Sequence, residues 1–512
     1  MAEGAWHSVL WAGLIGLGLS WLLEGLLRPR PIAPWKRPGA ASTLHIGLFL
    51  LGYAIELLLF RRPIFGVANL ILLQAIVIFV SNTKEAVLRE PFLYQDIEYF
   101  IDALRHPRLY LAFLSIWVVV LPAAAYAGAC WIAFRYEPSV IRSPWHLPGY
   151  VLLLAGLALA GWLFCVRSEK TLETQISFEA GDDLRGLGLL SVLWLYGRVE
   201  RRIPAPEPRK WPKLHRSVEL PDLISVQSES FFDARQFYPA LKLELLDNFD
   251  RLRREARAFG EVNVPAWGAN TVRSEFAFLS GWPGESLGVH RFNPYRKLAL
   301  AGVPSIAQHL HTSGYRTVCI HPYHADFYRR DKVLPQLGFE EFIHLEAFNA
   351  DCYAGPYVGD LALARRALAE LDSDDPRPVY LHLITMENHG PLHWEKVTEA
   401  CCAEVARAPL PHGCNDLIAY ARHLRNADAM FGMLSDQLQQ RDKPASVCIY
   451  GDHVPIMASV YEALGQPVGT TPYVIWDCHQ ALASRPSPCH RDLPLHELAM
   501  YWLAYLNKYD KH

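Results

Sequence analysis

The sequence predicts an N-terminal transmembrane anchor of five helices, followed by a C-terminal α/β domain with a mostly parallel central sheet. The first third of the 512-residue chain holds nearly all of its long uncharged runs, and the whole chain is 51% hydrophobic with a mean hydropathy of +0.07. This composition is too apolar for an average soluble protein, and the length allows two domains. After about residue 220, short β-rich runs alternate with helical stretches, as is typical of α/β domains.

Five apolar stretches have about the length that a membrane-spanning helix needs. They cover residues 6–27, 43–60, 64–80, 109–134 and 147–166. The first stretch has no basic start and no small-residue cleavage site, and further apolar stretches follow it, so we do not interpret it as a cleaved signal peptide. We therefore assign residues 1–166 to the anchor.

Residues 167–220 connect the anchor to the remainder of the chain. They run from a polar segment through the apolar run "LGLLSVLWLYG" to a linker rich in Pro, Lys and Arg. The apolar run is too short to span a bilayer, so we expect an interfacial helix that lies at the membrane surface or against the anchor. Residues 221–512 then form the α/β domain.

The charges predict an orientation and exclude one class of partner. Basic residues are concentrated in the loops 28–42 and 81–108, and loops rich in basic residues prefer the cytoplasm. With five spans, placing these two loops in the cytoplasm places the α/β domain there as well.

The net charge of −3 and the pI near 6.7 offer no basic surface for a nucleic acid. We therefore expect no nucleic-acid partner.

The cysteines favour the opposite orientation. Eight of the ten follow residue 300. Two groups lie in loop-like sequence, as surface disulfides of an oxidising compartment do: Cys401 and Cys402 with Cys414, and Cys478 with Cys489. Free thiols are the alternative, and the better one for Cys319 and Cys448, which lie inside β-branched runs.

Five β-rich runs are the predicted strands of the α/β domain. They are "DLISVQSES" (222–230), "RTVCIHP" (316–322), "VYLHLITMENH" (379–389), "ASVCIYGDH" (445–453) and "TPYVIWDC" (471–478). Helical patterns cover residues 361–371 and 416–440.

Acidic and histidine side chains stand at the carboxyl ends of four of these runs. They are Glu229, His321, His389 and the pair Asp452–His453. Ligands of open α/β sheets bind beyond the carboxyl ends of the strands, so we expect these side chains to meet at one rim. Taken alone, each carboxylate could be a helix cap and each histidine a hydrogen-bonded loop residue. The occurrence of such residues at the ends of four strands favours a functional site.

The segment "GANTVRSEFAFLSG" (268–281) lies between the first two of these strands. Carboxylates and imidazoles suit Mn²⁺, Mg²⁺ or Zn²⁺, and a hydroxyl can complete such a set. If Asn270 caps a helix that begins at Thr271, the amides and the dipole at the helix start favour negative charge there. A cation beside the hydroxyl would also favour its alkoxide, so we interpret Thr271 as a nucleophile rather than a packing or capping residue.

Five segments resemble, in order, motifs of the lipoteichoic acid synthase family. They are "VQSESF" (226–231), "GANTVRSEFAFLSG" (268–281), "HPYHADFYRRDKVLPQLGFEEF" (321–342), "HLITMENHGP" (382–391) and "IYGDHVP" (449–455). These are membrane-anchored phosphoglycerol transferases in the sulfatase-like part of the alkaline phosphatase superfamily, and the resemblance covers about residues 220–480. It implies a sulfatase-like sandwich and a catalytic domain on the periplasmic side of a bacterial cytoplasmic membrane, in agreement with the cysteines.

The resemblance also implies a metal site and a nucleophile. A single divalent cation, commonly manganese, with magnesium or zinc as alternatives, would be held by Glu229, Thr271, Asp452 and His453. Thr271 would be the nucleophile, and His389 would contact the phosphate or the leaving group.

The same resemblance points to a pocket for the phosphoglycerol head made by His321, Tyr328 and Arg330. Tyr328 stands where the family often has Trp, and Tyr323 stands where an acidic residue can occur. These two departures leave the identity of the head group open and do not touch the metal ligands.

The expected reaction transfers phosphoglycerol from phosphatidylglycerol to a hydroxyl of a glycan or glycerophosphate polymer, through an intermediate on Thr271, and releases diacylglycerol. A phosphoethanolamine transferase with the same anchor and metal site is one alternative, and a catalytically idle membrane sensor or scaffold is an alternative of another class. A sulfatase activity is not expected, because its formylglycine needs Cys or Ser in a C/S-x-P/A-x-R setting that the Thr271 segment lacks.

Overall fold

The computed structural model describes residues 2–99, 105, 116–207, 209–214, 220–478 and 487–506. The chain forms two compact units, Met1–Arg202 and Ile203–His512. This division lies within the segment 167–220 that we expect to connect the anchor to the α/β domain, so the interfacial helix belongs to the first unit.

The first unit is helical. Its helices are α1 (Ala2–Glu24), α2 (Gly39–Phe60), α3 (Pro63–Leu88), α4 (Ile116–Tyr136), α5 (Leu147–Glu173), α6 (Ala180–Leu187) and α7 (Leu189–Val199). Among the described residues, four segments are long and apolar enough to cross a membrane: Trp6–Glu24, Gly39–Phe60, Pro63–Leu88 and Pro144–Glu173. The expected span 109–134 lies partly outside the described residues, where α4 covers its later part, so the count of five spans stays a prediction.

Glycines bring two of these helices close together. A Cβ atom at Gly47 of α2 would lie 2.8 Å from the carbonyl oxygen of Gly161 in α5, and a Cβ at Gly161 would lie 2.8 Å from that of Gly47. Small residues at such a crossing let two backbones approach, which is a common way for helices to associate in membranes.

A buried charge network attaches the short helix α7 to the anchor helices. One carboxylate oxygen of Glu24 accepts a hydrogen bond from Arg37 Nη1 at 2.5 Å, and the other accepts one from the backbone amide of Leu189 at 2.8 Å. An acidic side chain at a helix start satisfies amides that have no partner within the helix. The apolar run that we expect to lie at the surface or against the anchor therefore packs against it.

The second unit contains a large sheet covered by helices. Its strands are β1 (Asp222–Ser228), β2 (Ala258–Asn263), β3 (Arg316–Ile320), β4 (Glu341–Ile343), β5 (Tyr353–Ala354), β6 (Tyr357–Val358), β7 (Val379–Ile384), β8 (Ala445–Gly451), β9 (Thr471–Asp477), β10 (Cys489–His490) and β11 (Leu493–Pro494). Its helices are α8 (Asp247–Glu255), α9 (Thr271–Ser280), α10 (Ile306–Thr312), α11 (Arg330–Gln336), α12 (Asp360–Leu371), α13 (Glu399–Val405), α14 (Asn415–Gln440), α15 (Ala458–Leu464) and α16 (Leu495–Leu506).

The strand order is β10-β2-β9-β8-β1-β7-β3-β4, with β11 also beside β2, while β5 and β6 form a separate hairpin. Strands β8, β1, β7, β3 and β4 run parallel to one another, and β9 is antiparallel to both of its neighbours. The sheet is therefore mostly parallel, as expected. Alternate residues of β1 point to opposite faces of the sheet. On one face, Ile224 lies in a core formed with α8, α12 and α14. On the other face, Leu223 lies in a core formed with α9, α10 and α16.

The sequence predicts the central strands and misses the edge. The five predicted strands are β1, β3, β7, β8 and β9, and the two predicted helices are α12 and α14. Strand β2, "AFGEVN", is not predicted because a glycine interrupts its apolar residues. A Cβ at Gly260 would lie 2.3 Å from the carbonyl oxygen of Arg491, so this glycine lets the β10 and β11 segment pair with β2.

The expectation of disulfides is wrong for this structure, in which the ten cysteines are all free thiols. Cys414 is buried in the core around α14 rather than at the surface. Cys478 is also buried, and its sulfur accepts a hydrogen bond from the backbone amide of Ala445 at 2.9 Å. Loop-like sequence is a poor guide to exposure at these positions, and the cysteines consequently carry no information about orientation.

Candidate active site

The pairing of β1 with β8 brings together residues that are more than two hundred positions apart. The two strands run parallel, with Ser228 opposite Gly451 at their carboxyl ends. Glu229 follows the first strand, and Asp452 and His453 follow the second. All three side chains are buried, and one ligand atom of each lies within 4.8 Å of the others. The rim predicted from the sequence is therefore present for these residues.

Close packing holds the two strand ends against each other. Ser230, which follows Glu229, has a φ of 54°, so the chain turns sharply after β1. A Cβ at Gly451 would lie 1.9 Å from the carbonyl oxygen of Phe231, which leaves no room for any other residue at that position. The turn and the glycine together set the separation of the carboxylates.

Thr271 lies against this group. Its Oγ1 donates toward Glu229 Oε2 at 3.4 Å and lies 3.4 Å from His453 Nε2. His453 Nε2 in turn lies 3.6 Å from Glu229 Oε1 and 3.5 Å from Asp452 Oδ2. Within the described residues, Asp452 Oδ2 has no hydrogen-bond partner although it is buried.

The donor set fits a divalent cation. Buried polar atoms are nearly always paired, and an unpaired carboxylate oxygen that faces an imidazole nitrogen and a hydroxyl is the arrangement that a cation would satisfy. His453 Nδ1 lies 3.1 Å from the carbonyl oxygen of Val454 and donates to it, which leaves Nε2 free to be a ligand. Glu229, Asp452, His453 and Thr271 are therefore the residues that could hold a metal.

The electrostatics of the group point in the same direction. Burial raises the pKa of Glu229, but the charges of His453 and His389 and hydrogen bonds from neighbouring hydroxyls leave that pKa below its usual value. Burial and then the charge of Glu229 raise the pKa of Asp452 well above its ordinary value. Burial lowers the pKa of His453, against the effect of Glu229. A cation between these two buried carboxyls would favour the charged form of both.

The start of helix α9 differs from the expected cap. Asn270 precedes Thr271 in the left-handed conformation, with φ 67° and ψ 40°, and its side chain makes no capping hydrogen bond. A capping side chain normally needs an extended backbone, so the expectation that Asn270 caps the helix is wrong. Thr271 is nevertheless the first residue of α9, where backbone amides lack partners within the helix.

A second buried group surrounds Arg330. This arginine is 1% exposed, and its Nη2 pairs with Glu275 Oε2 at 2.7 Å. Its Nη1 lies 3.1 Å from His321 Nε2, and Glu275 also accepts a hydrogen bond from Tyr295 at 2.6 Å. Burial and then the charge of Arg330 lower the pKa of His321 well below its usual value, so His321 is neutral.

Tyr328 lies beside Arg330, which is 5.4 Å from the centre of its ring. Tyr328 and Arg329 both have positive φ values, of 56° and 59°. Consecutive left-handed residues other than glycine are unusual and are found mostly where the surrounding structure and a function require them.

His389 lies in the segment after β7, next to the neighbouring hairpin. Its Nδ1 lies 2.8 Å from the carbonyl oxygen of Gly390, and its ring packs at 5.6 Å from that of Tyr357. The hydrogen bonds among the described residues join Thr271 to Glu229 and His453, and none joins it to His321, Arg330 or His389. His389 is linked to the candidate metal ligands through its electrostatic effect on Glu229.

Sequence reasoning misses the residues that hold these groups in place. Ser230 donates from Oγ to Glu229 Oε1 at 2.8 Å and from its amide to Asp452 Oδ1 at 2.8 Å. Thr385 accepts a hydrogen bond from the Glu229 amide at 2.9 Å. Ser230 and Glu275 both lie inside the quoted motifs "VQSESF" and "TVRSEF", which is the only signal that points to them.

Comparison with known proteins identifies the second unit. The sulfatase family matches residues 221–494, which is more than half of the chain. The chain is 28% identical to the capsular polysaccharide biosynthesis protein RkpI of Rhizobium meliloti (strain 1021) over 449 residues, or 83% of this chain and 80% of that protein.

The chain is similar to two solved structures, and it shares its fold with the first of them. The integral membrane lipooligosaccharide phosphoethanolamine transferase A (EptA) of Neisseria meningitidis covers 97% of this chain and 94% of its own, with a TM-score of 0.58 at 13% identity. The phosphoglycerol transferase GacH of Streptococcus pyogenes, in complex with sn-glycerol-1-phosphate, covers 57% of this chain and 80% of its own, with a TM-score of 0.43 at 21% identity. The whole-chain match shows that the combination of apolar helices and a sulfatase-like domain is a known fold of membrane proteins.

Proposed function

Because the chain belongs to the sulfatase family, we propose that it is a membrane-anchored transferase that moves phosphoglycerol from phosphatidylglycerol to a hydroxyl acceptor and releases diacylglycerol. The observation that carries this proposal is the position of Thr271 Oγ1, 3.4 Å from both Glu229 Oε2 and His453 Nε2 at the first residue of a helix. A hydroxyl in this position suits attack on phosphorus and does not suit the formylglycine chemistry of sulfatases.

Glu229, Thr271, Asp452 and His453 would hold one divalent cation, with manganese proposed and magnesium or zinc as alternatives. When bound, the cation lowers the pKa of a neighbouring hydroxyl and offsets negative charge on a phosphoryl group. Backbone amides at the start of α9 favour negative charge at the same place.

In the proposed reaction, Thr271 Oγ1 forms a bond to phosphorus while the bond from phosphorus to the diacylglycerol oxygen breaks. The hydroxyl proton of Thr271 is released toward Glu229, to which it donates in the structure. His389 gives a proton to the departing oxygen. An acceptor hydroxyl then attacks the phosphorus and gives its proton to His389, the bond from phosphorus to Thr271 Oγ1 breaks, and the proton held by Glu229 returns to Thr271.

His321, Tyr328 and Arg330 form the proposed pocket for the head group. Arg330 Nη2 pairs with Glu275 Oε2 at 2.7 Å, so Arg330 would donate to the phosphate from Nη1. Nη1 also lies beside His321 Nε2. In this proposal, Glu275 sets the direction of the guanidinium, and neutral His321, which donates from Nδ1 to the carbonyl oxygen of Ile384, supports it by accepting from Nη1 at Nε2.

We propose a glycan or glycerophosphate polymer as the acceptor and a bacterial cytoplasmic membrane as the location, with several spans and a periplasmic catalytic domain. The name of the RkpI relative, a capsular polysaccharide biosynthesis protein, supports a glycan acceptor. The helices of the first unit support a donor that stays in the bilayer, because tethering raises its effective concentration.

Phosphoethanolamine transfer is a second candidate. The whole-chain structural match to EptA, with a TM-score of 0.58, favours it over other activities of the family. The complete set of Glu229, Thr271, Asp452 and His453 argues against a catalytically idle sensor or scaffold.

The test uses the full chain in detergent with labelled phosphatidylglycerol or phosphatidylethanolamine. We expect diacylglycerol release from phosphatidylglycerol and a donor-derived mass on the peptide that contains Thr271. Thr271→Val should lower turnover by about three orders of magnitude or more, as loss of a nucleophile does, whereas the exposed Thr312→Val should not. Wild-type turnover by Thr271→Val would refute the nucleophile, release from phosphatidylethanolamine alone would support the second candidate, and release from neither would support the idle alternative.

A further inference from the structure

A second pair of buried carboxyl groups lies outside the Glu229–Asp452–His453 group. Asp360 is the first residue of α12, and Glu387 lies in the segment between β7 and His389. Asp360 is 1% exposed and Glu387 is 2% exposed. Neither takes part in the reaction proposed above.

Glu387 is held by hydrogen bonds, whereas the Asp360 side chain is not. Glu387 Oε2 accepts a hydrogen bond from the Asp360 amide at 2.7 Å, and Oε1 accepts one from Asn426 Nδ2 at 2.5 Å. Both carboxyl oxygens of Asp360 are buried, and neither has a hydrogen-bond partner in the part of the chain that the structure describes. The backbone amide of Glu387 lies near this carboxyl and lowers its pKa, against the effect of burial.

The surroundings add negative charge and no positive charge. Burial, followed by the charges of Glu387 and Glu229, raises the pKa of Asp360 well above its ordinary value. Among the described residues, no lysine, arginine or histidine forms an ion pair with Asp360 or Glu387. A buried carboxylate without a partner is costly, so this position needs a compensating group.

We infer that Asp360 and Glu387 bind a hard divalent cation, of the calcium or magnesium kind, at a site separate from the Glu229–Asp452–His453 group. The oxygen atoms of two carboxylates, with the side chain of Asn426 beside them, are the donors that such cations prefer. The absence of an imidazole or hydroxyl from the pair distinguishes it from the first site and favours calcium or magnesium over zinc.

The cation would fix the segment that carries His389. Glu387 lies two residues before His389, and between them Asn388 donates from Nδ2 to the carbonyl oxygen of Glu229 at 3.2 Å. A cation shared by Asp360 and Glu387 would therefore join the start of α12 to the chain that leads to His389. This makes Asp360 and Glu387 positioning residues for His389.

The test titrates calcium chloride or magnesium chloride into chelator-treated full-length protein that carries Glu229→Gln, which disables the first site. Calorimetry and elemental analysis should find one bound equivalent. Adding Asp360→Asn should abolish this binding, and adding the exposed Asp351→Asn should leave it unchanged. If the Glu229→Gln protein binds neither cation, or if Asp360→Asn leaves binding unchanged, the inference is wrong.

A second measurement does not depend on whether Asp360→Asn folds. The Glu229→Gln protein should unfold at a higher temperature in calcium or magnesium than in chelator, because a ligand of the native state stabilises it. An unchanged unfolding temperature would mean that Asp360 is neutralised by a proton alone, which would overturn the inference. Glu387→Gln provides the corresponding variant if Asp360→Asn is not obtained, and it should remove the cation-dependent increase.

Discussion

At the scale of single residues, the candidate metal-binding group depends on a serine that is not itself a candidate ligand. Ser230 donates one hydrogen bond to Glu229 and one to Asp452, each at 2.8 Å, so it orients both carboxylates. Side chains that orient metal ligands affect affinity without touching the metal. The left-handed backbone at Ser230 is what lets one residue reach both carboxylates.

We predict that Ser230→Ala weakens metal binding by about 10- to 100-fold, as loss of an orienting partner does. A competition titration with a metal-binding dye measures the affinity, and the exposed Ser286→Ala is the control. An affinity equal to that of the wild type would show that the carboxylates hold their positions without the serine.

The buried pair of Glu275 and Arg330 predicts an effect on stability. Removing one partner leaves a buried charge uncompensated, so Glu275→Gln should lower the free energy of unfolding by about 3–5 kcal/mol. Denaturant titration of the full chain in detergent measures this, with the exposed Glu285→Gln as the control.

Substituting both members of the pair provides a check on the cause. Glu275→Gln combined with Arg330→Met removes both charges, so it should destabilise the protein less than the sum of the single substitutions. Additive losses would mean that packing around the side chains, and not their charges, determines the effect.

The convergence of the candidate ligands was predictable from the sequence, and the residues that support them were not. Glu229, Asp452 and His453 end strands that are readable from β-branched runs, and parallel strands present such ends at one rim. From the sequence alone, Ser230 could be an ordinary turn residue and Glu275 an ordinary helix residue. Only the three-dimensional contacts reveal their partners.

At the scale of secondary-structure elements, strand β7 carries a buried histidine that makes stability depend on pH. His382 is stacked between Phe278 and Phe339, and its Nδ1 lies 2.8 Å from Ser225 Oγ. Burial lowers the pKa of His382 to about 4. The folded chain therefore keeps this imidazole neutral at pH values where the unfolded chain protonates it.

We predict that the contribution of His382 to stability falls as the pH drops from about 6.5 toward about 4. In this window the unfolded chain binds one more proton, at about 1.4 kcal/mol per pH unit, so lowering the pH from 7 to 5 should cost about 2 kcal/mol. The difference in unfolding free energy between the wild type and His382→Gln should shrink by that amount, and the exposed His412→Gln should show no such trend. A difference that stays constant with pH would contradict the prediction.

The central strands were predictable and the sheet edge was not. Strands β1, β7 and β8 are buried along their whole length, and each carries the β-branched or aromatic residues that make a strand recognisable. Strand β2 and the two-residue strands β10 and β11 exist through pairing with partners distant in sequence, so their own residues carry little signal. The disulfide expectation failed for a related reason, because burial of Cys414 and Cys478 depends on contacts with distant elements.

At the scale of the whole molecule, the two compact units predict separable properties. The unit Ile203–His512 has its own cores on both faces of the sheet. A protein that begins at Ile203 should therefore unfold cooperatively and bind one equivalent of metal at the Glu229–Asp452–His453 group.

That shortened protein should turn over phosphatidylglycerol in vesicles about 100-fold more slowly than the full chain, because it loses the effective concentration that tethering provides. Its turnover of a water-soluble ester of glycerol phosphate should be unchanged. The ratio of the two rates is the measurement, and equal activity of both proteins on vesicles would show that the helices of the first unit have another role.

The position of β8 in the sheet has a consequence for biosynthesis. This strand lies between β1 and β9 and brings Asp452 and His453, while Glu229 and Thr271 come much earlier in the chain. A nascent polypeptide that ends between α9 and β8 contains Glu229 and Thr271 but lacks Asp452 and His453. The complete group of Glu229, Thr271, Asp452 and His453 therefore assembles only when β8 takes its place between β1 and β9, so a chain that terminates earlier lacks the full set of candidate ligands.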